Sequence, residues 1–158
     1  MTINNYQLYI AHKNVSAYQP TNMKELTHKV AAQELLLELE IAKTTDAYVK
    51  EWNELNVKWN EVTGILGKLK KKNKKTENTE SEIKRLETEL KALNEVGIKL
   101  KNKPIDQSIT DKLISDSSFD SLIAVITDFT NFASNQTGMM DYEDMKVIDF
   151  FSKIKLPF

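Results

Sequence analysis

The sequence predicts an all-α fold: a long antiparallel coiled-coil hairpin with additional C-terminal helices packed on it. Three observations point there. Of 158 residues only four are glycine and three proline, too few turn-formers for a many-stranded sheet. Two stretches carry apolar residues in the 3-4 alternation of a coiled-coil seam. Between them lies a short lysine-rich connection, for which a hairpin is the economical solution. Apolar residues make up 41%, enough to bury a core along patterned elements, and charged residues 28%. The chain has no cysteine, which excludes disulfide scaffolds and thiolate metal sites or nucleophiles. Its longest apolar run, Leu122 to Ile126, is five residues and cannot span a bilayer.

Residues 1–22 carry a single formal charge, Lys13, among many Asn, Ser, Thr, Gln and Tyr. They lack the basic start and apolar centre of a Sec signal peptide. The composition fits a polar, flexible leader. It fits either a frayed terminus or an uncleaved export address.

The first long helix begins at Asn22, with Glu25 three residues on as in a capping box. Apolar residues recur through Leu26, Val30, Leu37 and Ile41. The spacing then tightens into a seam: Ile41, Thr45, Tyr48, Trp52, Leu55, Trp59, Val62, Leu66, Leu69. Trp52 and Trp59 lie one heptad apart on one face and are expected to be core. Indoles are large for a two-stranded seam and fit better under a third element. Gly64 and Gly67 weaken the helix near its end.

Thr79 and Glu82 form a second capping-box pattern, followed by Ile83, Leu86, Leu90, Leu93, Gly97 and Leu100. Gly97 on the seam leaves a notch that a tryptophan can fill. Glu80–Lys84, Glu87–Lys91 and Glu95–Lys99 are candidate i,i+4 pairs, each worth a few tenths of a kcal/mol. The arms, Tyr48–Leu69 and Thr79–Leu100, are each about 33 Å long at ~1.5 Å per residue. Residues 23–103 therefore form the hairpin. Its tip, residues 68–76, carries Lys68, Lys70, Lys71, Lys72, Lys74 and Lys75 with no acid. Such a cluster is either a solvated loop kept soluble by its charge or a contact for phosphate, an acidic protein or a membrane surface, the last as a peripheral contact only. With one arginine against 21 lysines, specific nucleic-acid recognition is not expected.

Pro104 ends the second arm, and residues 104–158 form an acidic segment of the same domain. From Asp106 to Asp149, nine acids stand against two lysines. A short helix is expected over Ser108–Ile114, then a longer one capped by Asp116 or Ser117. Within it, the β-branched run Leu122–Thr127 also suits a strand. A last helix from Met139 to about Ile154 carries Met139, Met140, Tyr142, Met145, Phe150, Phe151 and Ile154, too many apolar groups for one stripe. These either complete the core or contact a partner.

The two histidines, His12 and His28, fit no catalytic or metal motif, and no phosphate-binding loop occurs. No cofactor is expected, and the chain reads as non-enzymatic. Asn14 and Asn135 sit in glycosylation-like sequons, a common chance match.

The stretches Gln33–Asn56 and Ser134–Ile154, with the polar leader and the absent cysteine, resemble the needle-tip and filament proteins of type III secretion systems. The resemblance implies export without a Sec signal, a place at the bacterial cell surface, and partners that are copies of itself or secretion-apparatus subunits. The competing reading is a cytoplasmic helical binding module, such as a secretion chaperone, adapter or phage-type inhibitor, that captures one protein partner.

Overall fold

The computed structural model describes residues 2–72 and 76–134, and the described residues are all helical apart from their connections. In chain order the helices are α1 (Asn5–Ala17), α2 (Met23–Glu38), α3 (Ile41–Lys70), α4 (Glu77–Asn102), α5 (Gln107–Ser115) and α6 (Phe119–Ser134). They belong to two compact units. One comprises Met1–Thr45 with Pro104–Phe158, the other Asp46–Lys103.

The first unit corrects the expectation of a flexible leader. Asn4 caps α1: the Gln7 amide N–H donates to Asn4 Oδ1 (2.8 Å), and the Asn4 N–H donates to Gln7 Oε1 (3.0 Å). This is a complete capping box, satisfying two amide groups that a helix start otherwise leaves without partners. Leu8, Ala11, Val15 and Tyr18 follow at 3-4-3 spacing and are buried together with Ile10. Only Lys13, Ser16 and Ala17 of α1 are exposed. The missing charge thus reflects a helix covered on several sides, where an ion would cost desolvation. Ile3, just before the cap, is fully buried, and its carbonyl accepts the Ile105 N–H at 2.9 Å. That bond ties the N-terminus to the chain leaving α4.

The capping at Asn22 is borne out in part. The Glu25 N–H donates to Asn22 Oδ1 (2.9 Å), while the Glu25 carboxylate accepts chiefly from the Thr21 hydroxyl (2.6 Å) and amide (2.8 Å). These bonds hold its pKa below the ordinary value. The α2 face turned to the core is Ala32, Leu35 and Leu36, packed with α6 residues Phe119, Leu122, Val125 and Ile126. Leu26, Val30 and Leu37 are therefore not core. With Met23 they form an exposed stripe. Nor is the helix continuous into the seam: Leu39 ends α2, Glu40 takes a left-handed backbone (φ 52°), and α3 starts afresh at Ile41. The α5 start is capped by Asp106, whose carboxylate accepts from the Ser108 amide and hydroxyl. These bonds place its pKa below the usual range. The run Leu122–Thr127 is helical, within α6. No strand occurs among the described residues.

The second unit is the hairpin. Its register is antiparallel: Trp52 meets Gly97, Val62 and Leu66 pack with Leu86, and Lys70 pairs with Glu87 (3.2 Å). Partner numbers fall along α4 as they rise along α3. The predicted seam positions from Ile83 to Leu100 are all buried or half-buried. α4 begins earlier than expected, at Glu77, because Thr76 and not Thr79 is the cap, accepting the Thr79 N–H at 3.2 Å. The predicted i,i+4 pairs give way to others. Glu87 reaches across to Lys70, and Arg85 is flanked by Glu82 and Glu89. Contact with Arg85 lowers the Glu82 pKa. Gly64 and Gly67 do not stop α3, which runs on to Lys70, while α4 ends before Pro104 as expected.

Candidate interaction site

The hairpin is closed at one end and open at the other. Toward the tip, Val62, Leu66 and Leu86 are buried, with Leu69, Ile83, Leu90 and Leu93 packed around them. Branched aliphatic residues of this size fill a two-stranded seam. Away from the tip the same seam carries Tyr48, Trp52, Leu55 and Trp59. Tyr48 is buried and its ring lies 6.3 Å from that of Trp52, tilted by 44°. The two tryptophans stay 37% and 38% exposed. The expectation that they are core is corrected: they wall an open groove.

That groove has a volume of about 300 Å³ and is lined by Trp52, Leu55, Asn56 and Trp59 of α3 and Leu93, Asn94, Gly97, Ile98 and Lys101 of α4. Its floor exists because position 97 has no side chain. A Cβ there would lie 3.4 Å from Trp52 Cζ3 and 3.8 Å from Cη2, so the indole occupies the notch that the sequence leaves on the seam. Trp59, one heptad along, has no such partner glycine among the described residues, and it forms the upper wall. The lining is mainly apolar, with Asn56, Asn94 and Lys101 supplying polar groups at its edges. Such a surface binds by covering apolar area, and large aromatic side chains are its natural anchors. Each indole leaves roughly 90 Å² open, so covering both is worth about 4–5 kcal/mol before the costs of association.

A second apolar surface lies in the other unit. Met23, Leu26, Val30 and Leu37 are 74%, 41%, 43% and 78% exposed along one face of α2, at i, i+3, i+7 and i+14. Single exposed apolar residues need no explanation, but a register of four on one helix face is a patch.

Of the basic tip, Lys68, Lys70, Lys71 and Lys72 are described and exposed, and Lys70 pairs with Glu87. Lys74 and Lys75 lie outside the described residues. So do Met139, Met140, Tyr142, Met145, Phe150, Phe151 and Ile154, the expected C-terminal contact residues. His28 Nδ1 is 3.1 Å from the Ser121 hydroxyl, linking α2 to α6, and His12 lies on α1 beside Gln33 and Leu36. Asn14 of the first sequon is 3% exposed, so its amide is shielded from solvent. Among the described residues no cluster of histidine and carboxylate side chains is placed to hold a metal ion, and no helix is long and apolar enough to cross a membrane.

No family model, no curated protein and no solved structure matches this chain.

The signal for the groove was in the sequence. Two tryptophans one heptad apart face a seam glycine, and indoles exceed what two helices can enclose. What sequence reasoning missed was that the described residues leave the indoles uncovered. It also missed that the apolar residues of α2 divide between two faces.

Proposed function

We propose that this chain is a non-enzymatic protein that works by associating with other helical proteins. The observation that carries the reading is the groove walled by the half-exposed Trp52 and Trp59. Apolar grooves between helices take amphipathic helices, anchored every three or four residues. The exposed stripe on α2 supports the same reading, because its residues have the spacing of a helix–helix contact. In its narrower form, the proposal makes the chain a type III secretion tip or filament subunit, secreted to the bacterial surface, with copies of itself or apparatus subunits as partners. That form rests on the resemblance of Gln33–Asn56 and Ser134–Ile154. It carries a physical condition: since α1 contributes to the core of its unit, residues 1–22 can act as an address only while that unit is unfolded.

The test combines sedimentation and export. Purified protein should associate with rising concentration, and Trp59→Lys should weaken association by tenfold or more while leaving helicity unchanged. An export reporter fused to residues 1–22 should leave cells with a working type III apparatus and stay in cells where it is disabled. Concentration-independent monomers and no export would sink the assembly reading. A second reading, a cytoplasmic helical module holding one protein partner, is favoured by the burial of α1, which gives residues 5–17 a structural role without any export step. A single saturable one-to-one complex that Trp59→Lys abolishes would single it out.

A further inference from the structure

We infer that the partner seated against the two tryptophans is a second copy of the hairpin, its α3 lying antiparallel beside this α3 about a two-fold axis at Asn56. The inference rests on the association reading and names its partner. Beside the seam, α3 carries a second stripe in 4-3 alternation: Val49, Asn53, Asn56, Asn60, Thr63 and Gly67. That spacing keeps all six on one helix face, and Asn53 and Asn60 directly follow Trp52 and Trp59. Within the hairpin α4 leaves this face open. Asn53, Asn56, Asn60 and Thr63 are exposed, and Val49 and Gly67 are half-buried. None of the six is charged, whereas Lys50, Glu51, Glu54, Lys58 and Glu61 all fall on the rest of the helix. A face that omits charge over about five turns, in a chain 28% charged, suits contact with protein.

The face reads the same from either end, as an isologous contact requires: residue i meets j where j meets i. Trp52 and Asn53 stand four and three residues before Asn56, and Trp59 and Asn60 stand three and four after it. Antiparallel pairing about Asn56 sets Trp52 of one copy against Asn60 of the other, Asn53 against Trp59, and Asn56 against itself. An indole N–H donates only, and an amide carbonyl accepts it. An amide does both, so Asn56 can pair with its own copy, and one such residue fixes register and orientation in helix pairs. A foreign helix with aliphatic anchors would instead bury three asparagines without partners. The ends of the stripe agree. A parallel pair would set Asp46 against Asp46 and Lys68 against Lys68, whereas the antiparallel pair brings Asp46 within a turn of Lys68. The pair covers four indoles, roughly 360 Å² of aromatic surface, along a stripe about 27 Å long. That places it at or below the low end of specific interfaces, about 1,200 Å², so the dimer is weak and reversible.

The experiment is sedimentation equilibrium of the full chain up to about 1 mM, where weak contacts become populated. Wild type is compared with Asn56→Asp, Asn56→Lys and an equimolar mixture of the two. Asn56 is exposed, so both variants should keep the wild-type circular dichroism. Wild type should form dimers. Each variant alone sets like charges together at the axis and should dimerise about tenfold more weakly or worse. The mixture sets an acid against a base and should return to within about threefold of wild type. Variants that dimerise like wild type would overturn the inference and leave self-association standing on another surface. A mixture as weak as its components would overturn it too, because the copies would not meet Asn56 to Asn56. Monomers at every concentration would overturn it together with self-association. A one-to-one complex with another protein, abolished by Trp59→Lys, would then keep the single-partner reading.

Discussion

Gly97 offers the sharpest test of the groove. In the interior of α4 it weakens the helix by about 1 kcal/mol relative to alanine. A Cβ added there would sit 3.4 Å from the Trp52 ring, at the near limit of ordinary contact. Gly97→Ala should therefore recover about 1 kcal/mol of helix propensity at little steric cost. Gly97→Leu has no room unless Trp52 moves. Overpacking of this kind costs about 1–3 kcal/mol, and the displaced indole would lie further into solvent. The assay is built in: both tryptophans of the chain belong to the hairpin unit, so selectively excited indole emission during urea unfolding reports that unit alone. The alanine variant should raise the urea midpoint by roughly 0.5 M without changing the slope or the emission maximum. The leucine variant should lower the midpoint and shift emission to the red. A loss of 1 kcal/mol or more in Gly97→Ala would refute the reasoning, because Trp52 would then be clamped in place and the notch already full.

Three further outcomes are expected. Gly64→Ala and Gly67→Ala, with nothing within 4 Å of either added Cβ, should each stabilise the hairpin by about 1 kcal/mol, raising the same urea midpoint by roughly 0.5 M. Asn4→Ala removes the α1 cap and should cost about 1 kcal/mol in the other unit, seen as faster amide exchange in α1 with the indole midpoint unmoved. Burial and the nearby Asp128 carboxylate, which accepts from its hydroxyl at 3.1 Å, push the Tyr18 phenol well above its ordinary range. Its contribution is therefore complete below the unfolded pKa of about 10 and is lost as pH rises beyond it, so circular dichroism should show alkaline loosening that Tyr18→Phe reduces.

How much of this could be read beforehand depended on which signal was trusted. The hairpin was legible because its seam repeats over several heptads. The notch followed from a glycine on that seam. Pro104 marked a helix end in a residue whose chemistry does little else. The first helix was equally marked, by Asn4 with Gln7 and by Leu8, Ala11, Val15 and Tyr18. The low charge count of residues 1–22 points away from that helix, yet a helix covered on several sides has few charges for the same reason that it is buried. The break at Leu39 and Glu40 left no comparable mark. Glutamate is a good helix former, and nothing local announces its left-handed backbone. On α2 the sequence offers two apolar faces, Ala32, Leu35 and Leu36 or Leu26, Val30 and Leu37. Only the position of α6 decides which is inside.

The proportions of the seam bear on what kind of association it supports. Aliphatic residues close the hairpin toward the tip, and one glycine accommodates one of two indoles at the open end. Covering both tryptophans yields about 4–5 kcal/mol, close to the low end of the roughly 4–15 kcal/mol that association costs in lost freedom. The groove by itself thus supports weak binding. Micromolar affinity requires about 8 kcal/mol net, so further surface has to be covered in the same event or supplied by linkage between sites. The α2 stripe is one such surface, in the other unit, and Val57, Ile65, Val96 and Ile98 are exposed on the hairpin itself. A protein with two modest, separate apolar faces gains more from neighbours that engage both, as subunits of a repeating assembly do, than from one ligand in one pocket. That asymmetry is why we place self-association ahead of the single-partner module. It also sets the decisive comparison. Combining Trp59→Lys with Leu37→Lys should weaken self-association by more than either change alone, whereas a single-site partner should respond to Trp59→Lys only.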